Sequence, residues 1–530
     1  MKTCMFPALV LLAVVLPRPG AADESRYDIR RFGAVPGQKA LSTAAIQKAI
    51  DQCGAAGGGV VYFPPGSFVS GGLVLKSNVA LELEAGATLL GSTDPKDYPQ
   101  RVPALRSYTD TYVRQALIYG ENLQRVAIRG RGTIDGQGKA FPWGEYRDRP
   151  YLIRLVQCRD VLVEGVHLRN SAMWMQQYLA CERVVVRGIS VWNHVVHNND
   201  GIDLDACRDA LVSDCRFDAD DDAICLKSTL DRPCENVVIA NCIASSHCNA
   251  IKMGTESNGG FQNVTITNCT IEPPRGTKPV NGRPRGTSGI SLEIVDGGRL
   301  DGVVISNVVM RDVLVPLFMR LGNRARPFTK DGPKPGVGSF QNVVVSNIVA
   351  TGMSPNGCPI AGIPGHAIEN VSLANLNFTF EGGAPKETCW REVPEREASY
   401  PECLMFGTLP AYGFYCRHVR GIRFSNIRLG TDHPDPRPAL LADDVKDLVV
   451  DGFEAAVSPE AGSLVRLRQV ESAFVRGWIS RGSPAAFLRL EGAATRRIVL
   501  GEGDAGSVAK LVDLAAEVPP EALVRLGQGR

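Results

Sequence analysis

The sequence predicts an all-β solenoid, a chain of short stacked coils, and three observations carry that prediction. A VxxxN or VxxxG pattern recurs along most of the chain: VLVEG ending at Gly165, VVVRG at Gly188, VVIAN at Asn241, VTITN at Asn268, VVISN at Asn307, VVVSN at Asn347, VSLAN at Asn375, IRFSN at Asn426 and LVVDG at Gly452. Where no insertion intervenes the repeats lie 23 to 28 residues apart, and β-branched runs at a fixed period, each ended by Asn or Gly, read as coils. Helical periodicity is clear only once, from about Thr43 to Cys53, where Gly54 and Gly57-Gly58-Gly59 stop it.

Each element then takes its place. Residues 1–22 combine Lys2, an apolar run from Ala8 to Leu16 and a small-residue end at Gly20-Ala21-Ala22. That is the pattern of a cleavable secretory signal, so a secreted or periplasmic protein is expected. The helix at Thr43 would cap the first coil, because an open solenoid end is a sheet edge that could pair with another chain. Coils begin with VALELEAGATLLGS, pass through VAIRGRGTIDGQG and continue to at least Val475, with a weaker pattern near Ile498. Residues 274–290, 324–340, 353–368 and 381–412 break the period, are rich in Gly, Pro and charge, and read as loops beside one groove. A solenoid grows by adding coils, so residues 23–530 are expected to form one domain.

Composition excludes several classes of partner. Lys and Arg number 58 against 56 Asp and Glu, and losing Lys2 and Arg18 with the signal brings the balance near zero. That argues against nucleic acid or an anionic membrane as a bulk electrostatic partner. No later segment approaches the roughly 20 apolar residues of a membrane helix. Of the 15 cysteines, those in repeat strands (Cys207, Cys215, Cys225, Cys234, Cys242, Cys269) fit stacked small apolar positions. Cys358, Cys389, Cys403 and Cys416, in looped regions, are the better disulfide candidates. No CxxC or HExxH spacing is present; no metal or cofactor is expected, and the protein is expected to act as a monomer.

The chemistry concentrates in residues 198–227. Asp200 lies 21 residues, close to one coil, before Asp221 in the run Asp220-Asp221-Asp222, and Asn249 to Lys252 follow one further coil on. Parallel strands stack about 4.7 to 4.9 Å apart, so these groups should line one strip of one face. Crowded carboxylates raise at least one pKa, leaving one group protonated while another serves as a base, as glycosidic hydrolysis requires. The same acidic run could instead bind Ca²⁺ or face solvent.

With these residues in view, the chain resembles glycoside hydrolase family 28, the polygalacturonase and rhamnogalacturonase family of right-handed parallel β-helices. The resemblance rests on AIQKAIDQCGAAGGGVVYFPPG, on GTIDGQG, and on the family's NTDGID and GDDxIxxKS, here Asn198-Asn199-Asp200-Gly201-Ile202-Asp203 and Asp220-Asp221-Asp222-Ala223-Ile224-Cys225-Leu226-Lys227-Ser228. It implies that Asp221 is the general acid, that Asp200 and Asp222 hold and deprotonate water, and that hydrolysis inverts the anomeric centre of a polysaccharide or oligosaccharide. Asp203 and Asp205 would orient the loop.

Departures from the family pattern bear on substrate. Asn249 takes the position of the family's GHG histidine, and His247, two residues away, could compensate. Ser291-Leu292-Glu293 replaces the family's RIK, whose cations bind the galacturonate carboxylate; a glutamate there repels one. Lys252, Arg320 or Arg324 could restore the charge, and Glu293 could instead bind sugar hydroxyls or pair with Lys252. A plain endo-polygalacturonase is therefore not expected. Trp174, Tyr412, Phe414 and Tyr415 are either sugar-stacking rings or buried ladder aromatics. Loops around the groove hint at a blocked cleft and chain-end action. The rival readings are a β-helical polysaccharide lyase and a non-catalytic carbohydrate-binding β-helix.

Overall fold

The computed structural model describes residues 25–106, 113–141, 148–329, 331–504, 506 and 508–526; the signal-like segment 1–22 lies outside them. The chain forms a right-handed parallel β-helix whose strands join into one continuous sheet winding around the axis. Each strand pairs in parallel with its counterpart one coil later, as Val161–Val184–Ala210–Val237–Val264–Val303–Val343–Val371–Ile422–Leu448–Ala473–Ile498 traces along one inner ladder. Stacked β-branched side chains on such a ladder are buried from both neighbouring coils, which is why the repeat favours Val at this position.

The repeat's terminal residue has its own cause. Asn241, Asn268, Asn307, Asn347, Asn375 and Asn426 all adopt positive φ, the left-handed conformation that turns the chain between strands and that Asn tolerates. Their amides bond each other from coil to coil at 2.8 to 3.3 Å. Gly165, Gly188 and Gly452 fill the same turn with positive φ. One residue type thus satisfies both turn geometry and the polar groups the turn leaves over.

The helix Thr43–Ala55 buries Ile46, Ala49, Ile50 and Cys53 against the first coil, two residues longer than the pattern predicted. Coils continue beyond Val475 to the strand Leu523–Arg525. The third predicted loop contains a strand, Cys358–Ala361, paired with its neighbours. No described helix is long and apolar enough to cross a membrane.

The disulfide candidates are thiols: Cys358, Cys389, Cys403 and Cys416 are all free and buried. Cys358 and Cys416 sit on adjacent coils but two residues out of register, Cys358 opposite Phe414 and Cys416 opposite Ile360. Combining the coil and strand spacings puts their Cα atoms roughly 8 Å apart, beyond the ~7 Å a bridge can span. Cys389 and Cys403 spend their S–H groups on the carbonyls of Pro436 and Thr287.

Candidate active site

The site forms where the turn before one strand meets the next coil. Asn199 holds that turn, its side-chain oxygen accepting from the N–H groups of Val195 and Val196 at 2.8 Å while its amide donates to the Ser171 carbonyl. Asp200 emerges from it just before the strand Ile202–Asp205, which pairs with Ile224–Ser228. Asp221 and Asp222 occupy the equivalent turn one coil later. Stacking brings carboxylate oxygens of Asp200, Asp221 and Asp222 within 4.8 Å of one another. Asp200 and Asp222 are buried, whereas Asp221 is half-buried and lines a cleft of about 450 Å³ with Asn198, Asn249, Lys252, Asn281 and Tyr400.

Partners differentiate the three acids. Asp222 receives the Lys252 ammonium at 3.0 Å and the Asn249 amide at 2.7 Å. Asn249 is fixed in turn by Ser288, whose hydroxyl donates to its side-chain oxygen at 2.6 Å. Asp221 accepts from the Asn281 amide at 2.7 Å. Asp200 lies 3.8 Å from the Lys227 ammonium, which also stands 3.4 Å from both Asp203 and Glu256.

Acidities follow these contacts. Burial, then the Asp203 charge, pushes Asp200 well above the usual carboxylate range. Burial and the neighbouring Asp222 charge also raise Asp221. Asp222 runs the other way: burial pushes upward, but Lys252, Lys227 and the Asn249 amide outweigh it and hold the carboxyl below its ordinary value. Adjacent carboxylates with opposed shifts are the arrangement acid–base chemistry needs. The trio also has the spacing of a cation site, yet two buried ammonium groups already supply positive charge to it.

The remaining sequence candidates fall in distinct places. Glu293 is buried, accepts from Ser291 at 2.8 Å, and is pushed up to about 7 by burial against the opposing pull of Lys252. Arg320 is buried with its guanidinium directed to the Gly362 and Glu395 carbonyls at 2.8 and 2.7 Å, so its donors are committed to backbone. Arg324 pairs with Asp296. His247 contacts none of the three carboxylates: its ring nitrogens face the Arg283 carbonyl and Thr277 hydroxyl, each at 3.0 Å. Residues two apart share a face only in an extended strand, and this strand begins only at Asn249.

Asp205 accepts from the N–H and hydroxyl of Thr229, a positioning contact. Tyr412, Phe414 and Tyr415 are interior, and Trp174 lies in a buried cluster beneath Lys227.

Four residues given no role from the sequence belong to the site, Lys227 beneath the carboxylates and Asn281, Tyr400 and Arg283 lining the cleft. Lys227 stood within the quoted motif. Asn281 and Tyr400 arrive from loops 60 and 148 residues away from their partners Asp221 and Lys252, with no local signal to reveal them. Arg283, in the same loop as Asn281, lines the cleft and is exposed. Its backbone N–H is fixed to the His247 carbonyl at 2.7 Å, and among the described residues its guanidinium has no partner.

Comparison with known proteins agrees with this architecture. The family described as Glycosyl hydrolases family 28 matches residues 53–399. The chain belongs to glycoside hydrolase family 28. It is 28% identical to a probable polygalacturonase of Vitis vinifera over 67% of this chain and 74% of that protein. It is 25% identical to an exo-poly-α-D-galacturonosidase of Dickeya chrysanthemi over 68% of each. Among solved structures, a hyperthermoactive exopolygalacturonase from Thermotoga maritima superposes with a TM-score of 0.59 at 20% identity, covering 77% of this chain and 92% of that one. Family 28 membership makes the chain a glycoside hydrolase, and a polysaccharide substrate is consistent with that family.

Proposed function

We propose that this protein is exported by its 1–22 segment and hydrolyses a pectic polysaccharide with inversion, Asp221 protonating the leaving oxygen, Asp222 deprotonating the attacking water and Asp200 positioning it. The observation that carries this reading is the opposed acidity of neighbouring carboxylates: Asp221 raised and facing the cleft, Asp222 lowered by Lys252. Between the two titrations one group is an acid while the other is a base, so activity falls on both sides of that window. The nearest carboxylate oxygens lie closer together than the 6.5 to 9.5 Å typical of inverting pairs. Inversion therefore rests on the family resemblance rather than on separation.

The substrate follows from where positive charge is free. Along the strand strip Lys252 is committed to Asp222, Arg320 to carbonyls and Arg324 to Asp296, while Glu293 replaces a cation. An unmodified uronate gains nothing there, so the sugar beside the scissile bond is neutral, esterified or branched. Arg283 at the rim supplies a planar, unpaired guanidinium suited to a carboxylate on a neighbouring sugar. A polymer combining neutral and acidic residues, of the rhamnogalacturonan type, meets both conditions. Action from the chain end is favoured by the loops that bring Asn281 and Tyr400 over the carboxylates.

The test is digestion of polygalacturonate, methyl-esterified pectin and rhamnogalacturonan with chromatographic product analysis and an ultraviolet readout. Expected are small saturated products released from the outset, with faster cleavage of rhamnogalacturonan or esterified pectin. Rates on polygalacturonate equal to or above all the others would refute the substrate assignment, and ultraviolet-absorbing products would refute hydrolysis. N-terminal sequencing of protein recovered from the medium or periplasm tests export.

A further inference from the structure

A second concavity, of about 880 Å³, lies beside the cleft and is not used by the chemistry above. Leu90, Asp135 and Trp192 line it, and all three stand on one ladder, Leu90–Asp135–Arg169–Trp192, with one residue from each successive coil. Trp192 is half-buried, leaving part of its indole open to the concavity, and Leu90 is likewise half-buried. Polar groups surround this apolar face. Asn170 donates to Asp135 at 2.9 Å while its own side-chain oxygen, although buried, has no hydrogen-bond partner. Lys139 is exposed at the rim.

The concavity and the catalytic cleft lie on either side of one turn. Val195 lines the first and Asn198 the second, and both belong to the turn held by Asn199. Three residues of chain span at most about 10 Å, so one short turn walls both spaces. His194, next to Val195, lines the concavity as well; its ring lies against Trp192 on one side and binds Asp218 on the other, fixing the indole's orientation from behind. The loops carrying Asn281 and Tyr400 come from later coils, whereas this concavity opens toward earlier ones.

We propose that the Trp192 concavity is a distal sugar subsite, binding a pyranose of the same polysaccharide chain whose cleaved end sits over Asp221; this deepens the pectic-hydrolase reading and rests on it. An aromatic face bordered by amide and carboxylate groups matches a sugar ring, which presents apolar C–H faces and a polar hydroxyl edge. Because the subsite touches only longer chains, its contribution should grow with substrate length.

The test uses purified pectic oligosaccharides of graded length, from both polygalacturonate and rhamnogalacturonan, with intact wild-type protein and with Trp192→Ala and Trp192→Phe. Trp192→Ala should lower kcat/KM about tenfold on the longest oligomers and leave the shortest cleaved oligomer unchanged. Trp192→Phe, which keeps a ring face, should recover most of that loss. Equal loss at every length, or no loss at any, overturns the proposal. Should wild-type protein cleave neither series, the hydrolase assignment to pectin fails separately, and calorimetric binding of the same uncleaved oligomers still decides the subsite. Affinity that rises with length in wild-type protein but not in Trp192→Ala supports it; affinity independent of length, or equal gains in both proteins, sinks it.

Discussion

Replacing Lys252 with methionine removes the charge that separates the two catalytic acidities while keeping much of the side-chain volume. Lys252 stands 3.0 Å from Asp222; at an effective dielectric constant near 20 the attraction is about 5 kcal/mol, an upper bound because Lys227 and the Asn249 amide remain. Opposite charges at this range shift a carboxyl by about 1 to 3 units. Asp222 is held low, so it is ionised, and able to act as base, down to unusually acidic pH. In Lys252→Met its pKa rises, and the acidic limb of kcat/KM against pH should move to higher pH by about 1 to 3 units. The alkaline limb should move less, in the same direction, because Lys252 also lowers Asp221. The stability sign follows from the same shift. A depressed carboxyl contributes stability that is present above its unfolded value near 3.9 and lost as pH falls through the folded one. Stranding Asp222 should therefore cost about 3 to 5 kcal/mol at neutral pH, largely recovered in Lys252→Met/Asp222→Asn. The assay is a pH series of initial rates alongside thermal melts. An acidic limb that stays in place, with activity reduced equally at all pH values, would refute the role assigned to Lys252.

Asp221→Asn should reduce turnover at least about 10²-fold with an unchanged melting curve; near-full activity removes Asp221 from the mechanism. Proton NMR of the first product formed should show the inverted anomer, and retention would instead make one carboxylate a nucleophile. Chelation with EDTA should leave rates unaltered, since Lys227 and Lys252 already compensate the acidic trio; loss restored by Ca²⁺ would reassign that trio as a cation site. Arg283→Ala should raise KM on substrates with free uronates and spare those whose carboxyls are esterified or reduced. Equal effects on both would exclude carboxylate recognition by Arg283.

Much of this structure was legible because a β-helix converts sequence spacing into contact. Asp200 and Asp221, 21 residues apart, meet because one coil separates them, and the Asn of each VxxxN meets the next for the same reason. The rule fails where the period fails. Asn281 and Tyr400 lie in insertions, so nothing in their positions tells that they reach Asp221 and Lys252. His247 shows a different limit: two residues from Asn249 in sequence, it lies in the turn before the strand, where its ring secures the loop at Thr277 and Arg283. The late cysteines show a further limit, since proximity between coils is not register, and a disulfide needs both.

The charges on the strand strip also bear on why the site tolerates so many buried ions. Asp203 faces Lys227, Asp222 faces Lys252, Lys252 also feels Glu293, and Asp296 answers Arg324, so each buried cation meets carboxylates from neighbouring coils. A single buried charge would cost several kcal/mol, and breaking one buried pair about 3 to 5; in this stack each ammonium lies among carboxylates of neighbouring coils. Protonating one member therefore shifts its neighbours, and the acids titrate as a coupled set rather than as independent groups. Substitutions such as Ser291 and Glu293 for cations then act twice. They remove attraction for a uronate, and they add a carboxylate beside Lys252 that is pushed up to about 7. Near neutrality Glu293 changes charge, competing with Asp222 for the same ammonium. On the proposed mechanism, the departure from the family pattern at Glu293 thus acts on catalysis as well as on substrate, through Lys252.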